Sequence, residues 1–270
     1  MPGSSEQSSK RKIRRERIHR LLPNALTMLG LCAGLTSIRF GLEERWEIAI
    51  FLIAGAALLD TLDGRIARLV GGSSDFGGQL DSLVDSIAFG VAPVIVMFLW
   101  SLQAAAGIGW AIALLFPICC VLRLARFNVS SAENSLPTWS NRFFTGIPAP
   151  AGAGLLLLPL MVFAETSWDW LRSPWLAGPW TLLIGALMIS RLPTWSFKNI
   201  KIRTKYFRAS MAAIAFLAAA MFTEPLWTLA GIIITYGCTL PLSMRAYKHL
   251  QIEENAKSFE TTPSQLRDDI

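Results

Sequence analysis

The sequence predicts an all-α membrane protein, a polytopic transmembrane helical bundle of about eight spans. Hydrophobic residues make up 53% of the 270 positions and charged residues only 16%, with a mean hydropathy of +0.44. A soluble domain usually carries about a quarter charged residues. The apolar residues also fall in blocks of roughly 20, which is the length that an α-helix needs to cross a bilayer.

Eight apolar segments follow one another along the chain. They cover residues 24–42, 47–70, 79–100, 103–127, 143–164, 175–191, 208–223 and 225–247. We expect Pro23 to open the first segment, because proline is favoured at the first position of a helix. Only Glu224 and Pro225 separate the last two segments.

The basic residues indicate a membrane surface and not nucleic acid as the partner of this chain. The net charge is +6, and the positive residues crowd into residues 10–20 and 198–208, beside apolar segments. Anionic lipid headgroups attract such basic flanks. All four cysteines lie in apolar segments without metal-ligand spacing, and both histidines lie in polar flanks, so no zinc site or histidine triad is predicted.

The basic residues also predict how the protein is oriented in the membrane. Eight spans place both termini on the same side of the membrane. With this arrangement only three of the 25 basic residues fall on the opposite side, namely Arg39, Arg45 and Arg172. Cytoplasmic segments carry the excess of lysine and arginine. The termini and the loops 71–78, 128–142 and 192–207 are therefore predicted to be cytoplasmic.

Four aspartates stand at the cytoplasmic ends of the second and third segments. Asp60 and Asp63 are three residues apart, and Asp81 and Asp85 are four apart, so each pair lies on one helix face. The connection over 70–78 is short and makes the two helices antiparallel neighbours. We therefore expect the four carboxylates to converge in one cleft.

A divalent cation is the natural partner of these carboxylates. A charge inside the bilayer costs about 2.5–3.5 kcal/mol on insertion scales, and no lysine occurs between Lys12 and Lys198. Oxygen ligands without His or Cys favour a hard ion such as Mg²⁺ or Mn²⁺. The alternative is helix packing through small residues and interhelical hydrogen bonds. It explains residues 55–57, but not four acids that repel one another.

The surroundings of the aspartates suit a phosphate-bearing ligand. Gly64 and Gly77 each lie one turn from an aspartate and leave room for a ligand against the backbone. Arg68, one turn beyond Gly64, is placed to contact a diphosphate. Ser73 and Ser74 add hydroxyl groups in the linker.

The aspartates belong to a longer pattern that resembles a known family. Residues 60–68 are D-T-L-D-G-R-I-A-R, and after eight residues positions 77–85 are G-G-Q-L-D-S-L-V-D. This resembles the CDP-alcohol phosphotransferase signature at every fixed position. The resemblance implies an all-helical membrane enzyme, usually a homodimer, whose four aspartates hold two divalent ions that bind the CDP diphosphate.

The resemblance also implies roles for single residues. Asp85, the last aspartate, matches the general base of the family. The residues that match CDP-contacting positions are Gly64, Arg68, Ser74 and the segment that runs from Asn24 to Thr27.

Further stretches are similar to the membrane-spanning phosphatidylserine synthases of this family. They are residues 22–34, 123–128, 144–150 and 191–198. The resemblance implies transfer of a phosphatidyl group from CDP-diacylglycerol to L-serine, giving phosphatidylserine and CMP, in the cytoplasmic membrane of a bacterium with the active site facing the cytoplasm. We therefore divide the chain into four parts. They are a basic tail over 1–22 compatible with an interfacial helix, a catalytic transmembrane domain over 23–200, additional helices over 201–248 and a polar tail over 249–270.

Two arginines are candidates for binding the serine carboxylate. Arg123 and Arg126 stand at the cytoplasmic end of the fourth segment, and the planar guanidinium suits bidentate carboxylate recognition. Asn128 is placed to add a hydrogen bond. The alternative is that both arginines only anchor the helix among the headgroups.

Two other functions fit parts of the pattern. The first is the same phosphatidyl transfer with glycerol 3-phosphate or an inositol as the acceptor. A phosphate acceptor, however, would require a denser basic pocket. A cation channel or transporter with the aspartates as its filter is the other. All four acids, however, lie at one membrane face, and no acidic path crosses the bilayer.

Overall fold

The computed structural model describes residues 4–69, 75–132, 143–190, 192–195, 207–241 and 243. Ser74, a predicted ligand residue, lies outside these ranges, as do the C-terminal tail 249–270 and most of the loops predicted to be cytoplasmic.

Within these ranges the chain folds into nine α-helices. They are α1 (Ser4–Leu42), α2 (Trp46–Leu69), α3 (Asp75–Asp85), α4 (Ala92–Trp100), α5 (Ala106–Ala132), α6 (Ala149–Thr166), α7 (Pro174–Ile189), α8 (Phe207–Thr223) and α9 (Pro225–Pro241). A π-helical turn, Ser86–Val91, joins α3 to α4 without a break, and 3₁₀ turns precede α5 and α7. Each predicted segment corresponds to a helix in order, with α3 and α4 together forming the third.

The lengths and compositions of the helices are those of a membrane protein. In the part of the chain that the structure describes, four stretches are long and apolar enough to cross a bilayer: Leu21–Leu42, Phe76–Trp100, Leu102–Val129 and Ala149–Thr166. Helices α7, α8 and α9 are apolar but shorter, and the 24-residue α2 carries two of the aspartates. The predicted all-α polytopic bundle is confirmed, whereas the count of eight spans stays a prediction.

A stripe along α2 positions the candidate site. Ala49, Ile53 and Ala56 recur at alternating steps of four and three residues and are buried, and this spacing places them on one helix face. Helix α1 packs along α2 and also contacts α3 and α4. Asp60 and Asp63 continue the same steps, so the packing of α1 on α2 also fixes where these carboxylates lie.

Helix α6 lies at the centre of the bundle and contacts α2, α4 and α7. Half of its 18 residues are buried, and the Trp180 indole N–H on α7 donates to the Leu155 carbonyl of α6 at 2.8 Å. Helix α8, in contrast, is exposed on all sides, and its large apolar side chains Ile214, Phe216 and Phe222 are among those exposed. Such surfaces suit contact with lipid chains, since the helical backbone satisfies its own hydrogen bonds.

The expectation that Pro23 opens a helix is wrong, because α1 runs unbroken from Ser4 through Pro23 to Leu42. A proline inside a helix removes one backbone hydrogen bond and costs about 3 kcal/mol. Its fixed φ is nevertheless close to the helical value, so the hydrogen-bonded turns on both sides continue through it.

The fifth segment also begins later than predicted, at Ala149 instead of residue 143. Residues Phe143–Thr145 form a short strand, β1, which pairs antiparallel with β2 (Pro193–Trp195). Gly146 follows with a φ of +81°, a backbone conformation that favours glycine. Its N–H donates to the Leu192 carbonyl at 2.8 Å, which ends the strand and separates it from α6.

The close approach of α1 to the π-helical turn makes Gly34 sensitive to substitution. A Cβ added at Gly34 would lie 2.9 Å from Ala88 Cα, whereas one added at Gly55 on α2 would meet nothing within 4 Å. We expect Gly34→Ala to lower the unfolding temperature in detergent, because overpacking costs typically 1–3 kcal/mol. Gly55→Ala is the matched control, and it should raise that temperature or leave it unchanged, since alanine is the better helix former. Equal effects of the two substitutions would contradict this packing.

Candidate active site

The four aspartates line one cleft between α1, α2 and the stretch from α3 to the π-helical turn. The cleft holds about 190 Å³ of empty space, including open solvent. Its lining residues are Thr27, Gly30, Ala56, Asp60, Asp63, Asp81, Val84, Asp85, Ala88 and Phe89. The cleft therefore combines four carboxylates with apolar groups from Ala56, Val84, Ala88 and Phe89.

Three of the carboxylates form a tight group. Asp60, Asp63 and Asp81 each offer an oxygen atom, and these atoms lie within 4.8 Å of one another. Asp85 stands one helical turn beyond Asp81, and its carboxylate is in hydrogen-bonding contact with that of Asp60. Acids this close repel one another unless a proton or a cation lies between them.

Asp63 is held in place by α1. Its side chain is only 3% exposed, and the Thr27 hydroxyl donates to its Oδ2 at 2.6 Å. The same hydroxyl lies 3.0 Å from the Pro23 carbonyl of its own helix. Thr27, predicted to contact the CDP-lipid, thus orients an aspartate of the cluster.

Arg123 on α5 faces the cluster from the other side. Its guanidinium interacts electrostatically with Asp60 and Asp85. Its Nε is buried and has no hydrogen-bond acceptor among the described residues. The guanidinium also lies over the Phe127 ring, 5.7 Å from the centroid. A buried charged donor without an acceptor is costly, so this atom is suited to an anionic ligand.

The other two candidate acceptor residues lie further along α5. Arg126 is half-buried, and Asn128 is exposed. The Asn128 Nδ2 donates to the Ser82 hydroxyl at 3.0 Å, and that hydroxyl lies 3.1 Å from the Gly78 carbonyl. Asn128 therefore connects α5 to α3 next to Asp81.

The remaining predicted ligand residues lie at the outer ends of the same helices. Gly64 is exposed, with open space where a Cβ would lie. Arg68 is exposed, and its Nε donates to the Gly64 carbonyl at 2.9 Å, while its two terminal nitrogens form no hydrogen bond with a described residue. Asn24 on α1 and Gly77 on α3 are both half-buried.

The residues present fit a hard divalent cation. All donors in the group of three are carboxylate oxygens, and their mutual distances suit ligation of one ion. The hydrogen bond from the Thr27 hydroxyl to Asp63 is of the kind that orients metal-ligating side chains.

Two interactions at this site were not predicted from the sequence. One is the contact of Thr27 with Asp63, since residues 36 positions apart share no local pattern. The other is the electrostatic interaction of Arg123 with Tyr236 on α9. Tyr236 stands within an apolar segment, and only the packing of α9 brings it to α5.

Comparison with known proteins agrees with this geometry. The family model of CDP-alcohol phosphatidyltransferases matches residues 20–192. A protein of Mycobacterium leprae is 41% identical over 240 residues, which cover 87% of this chain and 78% of that protein. Proteins of Mycobacterium bovis and Mycobacterium tuberculosis are each 38% identical over 251 residues, which cover 92% of this chain and 85% of theirs. All three relatives are named CDP-diacylglycerol–serine O-phosphatidyltransferase.

The matched region contains the whole aspartate cleft together with Arg123, Arg126 and Asn128. It ends before α8, so α8 and α9 lie beyond it. With a family model covering well over half of the chain and relatives of this similarity, the protein belongs to the CDP-alcohol phosphatidyltransferase family.

Proposed function

We propose that this enzyme transfers the phosphatidyl group of CDP-diacylglycerol to L-serine, giving phosphatidylserine and CMP. The observation that carries the proposal is the convergence of Asp60, Asp63, Asp81 and Asp85 in one cleft beside Arg123. The names of the relatives support serine as the acceptor. Membership in this enzyme family argues against a channel or transporter.

We propose that the cluster binds Mg²⁺ or Mn²⁺, with two ions and the four aspartates as ligands. The group of three supplies oxygen atoms within 4.8 Å of one another, and Asp85 adds a fourth carboxylate in contact with Asp60. The chemistry that bound cations supply is neutralisation of the diphosphate and of the charge that develops on the departing CMP.

Side chains of the protein are proposed to bind the two substrates. Gly64 leaves space for the nucleotide diphosphate, Arg68 presents its terminal nitrogens to it, and Asn24, Ser74 and Gly77 complete the predicted CDP contacts. Arg123 and Arg126 hold the carboxylate of serine, and Asn128 adds a hydrogen bond to the acceptor. Placing both substrates in one cleft converts their encounter into a step within a single complex.

Asp85 is the proposed general base. It lies outside the group of three, and Arg123 is its electrostatic neighbour. The serine hydroxyl gives its proton to the Asp85 carboxylate while its oxygen attacks the β-phosphorus. The bond from that phosphorus to the bridging oxygen breaks, and CMP leaves with the electron pair.

The deciding experiment uses the purified full-length protein with CDP-diacylglycerol, Mg²⁺ or Mn²⁺, and labelled acceptors in parallel. We expect CMP release that requires both serine and the cation, with phosphatidylserine as the lipid product. Glycerol 3-phosphate and inositol are the comparison acceptors. Preferential transfer to either one would refute serine as the substrate while leaving the phosphatidyl transfer intact.

We further propose that the protein is an integral protein of the bacterial cytoplasmic membrane, works as a homodimer and has its active site on the cytoplasmic side. The four described helical stretches of spanning length and the one-sided distribution of basic residues support the membrane location and the orientation. The homodimer is what the family resemblance implies. Labelling of single cysteines introduced at residues 73 and 200 should occur from the cytoplasm. Labelling from the opposite side would overturn the orientation.

The contact between Thr27 and Asp63 gives a prediction about cation affinity. We expect Thr27→Val to raise the Mn²⁺ concentration for half-maximal activity about tenfold, because loss of a hydrogen bond to a metal ligand typically costs 10–100-fold in affinity. Activity is titrated against Mn²⁺ with both substrates saturating. Thr36→Val is the control, since the Thr36 hydroxyl donates to the Cys32 carbonyl of its own helix and bonds to no carboxylate among the described residues. Identical titrations of the two variants would rule out this role for Thr27.

A further inference from the structure

Two helices carry groups that the proposed reaction brings together. Helix α3 carries Asp81 and Asp85, and α5 carries Arg123 and Asn128. The transfer requires the acceptor hydroxyl to lie beside Asp85 while groups on α5 hold the rest of the acceptor. A misplacement of about 1 Å can cost about a hundredfold in rate, so the placement of α5 relative to α3 matters for the reaction.

Helix α5 packs closely against the π-helical turn that follows α3. A Cβ added at Gly90 would lie 3.1 Å from Cys120 Cβ and 3.6 Å from Pro117 Cα. Cys120 is fully buried, so this contact lies inside the bundle. It fixes one point at which the two helical stretches meet.

A hydrogen bond forms a second point of contact between the same two stretches. The Asn128 Nδ2 donates to the Ser82 hydroxyl at 3.0 Å, and the Asn128 Oδ1 lies 3.4 Å from the same oxygen. That hydroxyl in turn lies 3.1 Å from the Gly78 carbonyl of its own helix. Both polar atoms of the Asn128 amide therefore meet one hydroxyl group, whose position is set by α3.

The two points of contact bracket the reacting groups. The hydrogen bond lies eight residues before Gly90 on one stretch and eight residues after Cys120 on the other, as antiparallel helices require. Eight residues of helix span about 12 Å. Asp85 lies between the two points on its stretch, and Arg123 lies between them on α5.

We propose that Ser82 is a positioning residue for the acceptor. Its hydroxyl holds the Asn128 amide and so joins the end of α5 to α3, which keeps the acceptor hydroxyl aligned with the Asp85 carboxylate. Ser82 itself is not among the residues that line the cleft, so it acts through Asn128. The proposal rests on serine transfer as the function.

The test is Ser82→Ala in the full-length enzyme, which removes the hydroxyl and introduces a good helix former. We expect kcat/KM for serine to fall about threefold to tenfold, which is the range for the loss of one hydrogen bond. The KM for CDP-diacylglycerol and the Mn²⁺ concentration for half-maximal activity should change less than about twofold. Ser82→Thr retains the hydroxyl and should restore kcat/KM for serine to within about twofold of the wild type.

Ser86→Ala is the matched control. Ser86 stands about one turn further along the same stretch, and its hydroxyl donates to the Leu83 carbonyl at 2.7 Å. The substitution therefore removes a hydroxyl whose hydrogen bond lies within the stretch instead of reaching α5. It should leave all of these constants unchanged.

A double variant shows whether Ser82 acts through Asn128. Asn128→Ala removes the amide that Ser82 holds. Ser82→Ala added to it should then lower kcat/KM for serine by less than about a further twofold. Two independent roles would instead give the product of the two single effects.

The outcomes separate this inference from the proposed function. A wild-type enzyme that does not use serine refutes the function itself. A wild-type enzyme that uses serine, with an unchanged kcat/KM for serine in Ser82→Ala, refutes only the role of Ser82. Multiplied effects in the double variant, or equal changes in the KM of both substrates, would show a structural role and would also overturn the inference.

Discussion

Replacing any one of Asp60, Asp63, Asp81 and Asp85 by asparagine is expected to reduce phosphatidyl transfer by at least about a thousandfold. Each substitution removes a proposed cation ligand or the proposed base, and the stabilisation of charge by bound cations is worth several kcal/mol, at about 1.4 kcal/mol for each factor of ten. The measurement is CMP release by purified variants at saturating Mn²⁺, serine and CDP-diacylglycerol.

Stability distinguishes a chemical defect from a folding defect in these variants. The four carboxylates repel one another in the cleft when no cation is present. Asp81→Asn should therefore unfold in EDTA at a temperature equal to or above that of the wild type, while its stabilisation by Mn²⁺ is lost. Glu47→Gln, an exposed change at the opposite end of α2, is the control for both measurements. Near-normal activity in any two of the four variants would remove the metal site from the mechanism.

Arg123→Lys is expected to lower kcat/KM for serine by about tenfold to a hundredfold while the KM for CDP-diacylglycerol stays close to that of the wild type. Lysine retains the positive charge beside Asp60 and Asp85. It loses the planar set of donors and the buried Nε–H, which has no other acceptor among the described residues. Hydrogen bonds to charged groups contribute about 1.5–3 kcal/mol, which corresponds to this range.

Arg126→Lys is the companion variant. Arg126 is half-buried one turn further along α5, so we expect its serine KM to rise by a smaller factor, about threefold, with the CDP-diacylglycerol KM again unchanged. Steady-state kinetics with each substrate varied in turn measures both variants. An unchanged serine KM in both would mean that these arginines serve only as anchors at the headgroups, for which lysine is sufficient.

The sequence predicted the helices well because crossing a bilayer requires long apolar blocks, and such blocks are visible without any knowledge of packing. The aspartate cleft was also predictable, since the spacing of each pair and the short connection between α2 and α3 bring the acids together. Pro23 and residues 143–148 were predicted wrongly. In both places a local rule about helix starts was overridden, by continuous hydrogen bonding in α1 and by the pairing of β1 with β2.

The part of the site that the sequence did not predict depends on contacts between distant segments. Thr27 bonds to a residue 36 positions away, and Tyr236 interacts with Arg123 across more than one hundred positions. Tyr236 also stands among apolar residues in a helix that has no motif. A single sequence contains no signal for such a pairing, because it arises only when α9 packs against the core.

The π-helical turn directly after Asp85 changes the angular phase of the third transmembrane segment. An α-helix turns about 100° for each residue, and a π-type turn accommodates an extra residue within the helix. The aspartate face of α3 and the buried face of α4 are therefore offset from the positions that one helical wheel would give. Deleting Ile87 would restore an ordinary helical wheel and rotate the two carboxylates of α3 out of the cleft, without removing any residue that lines it.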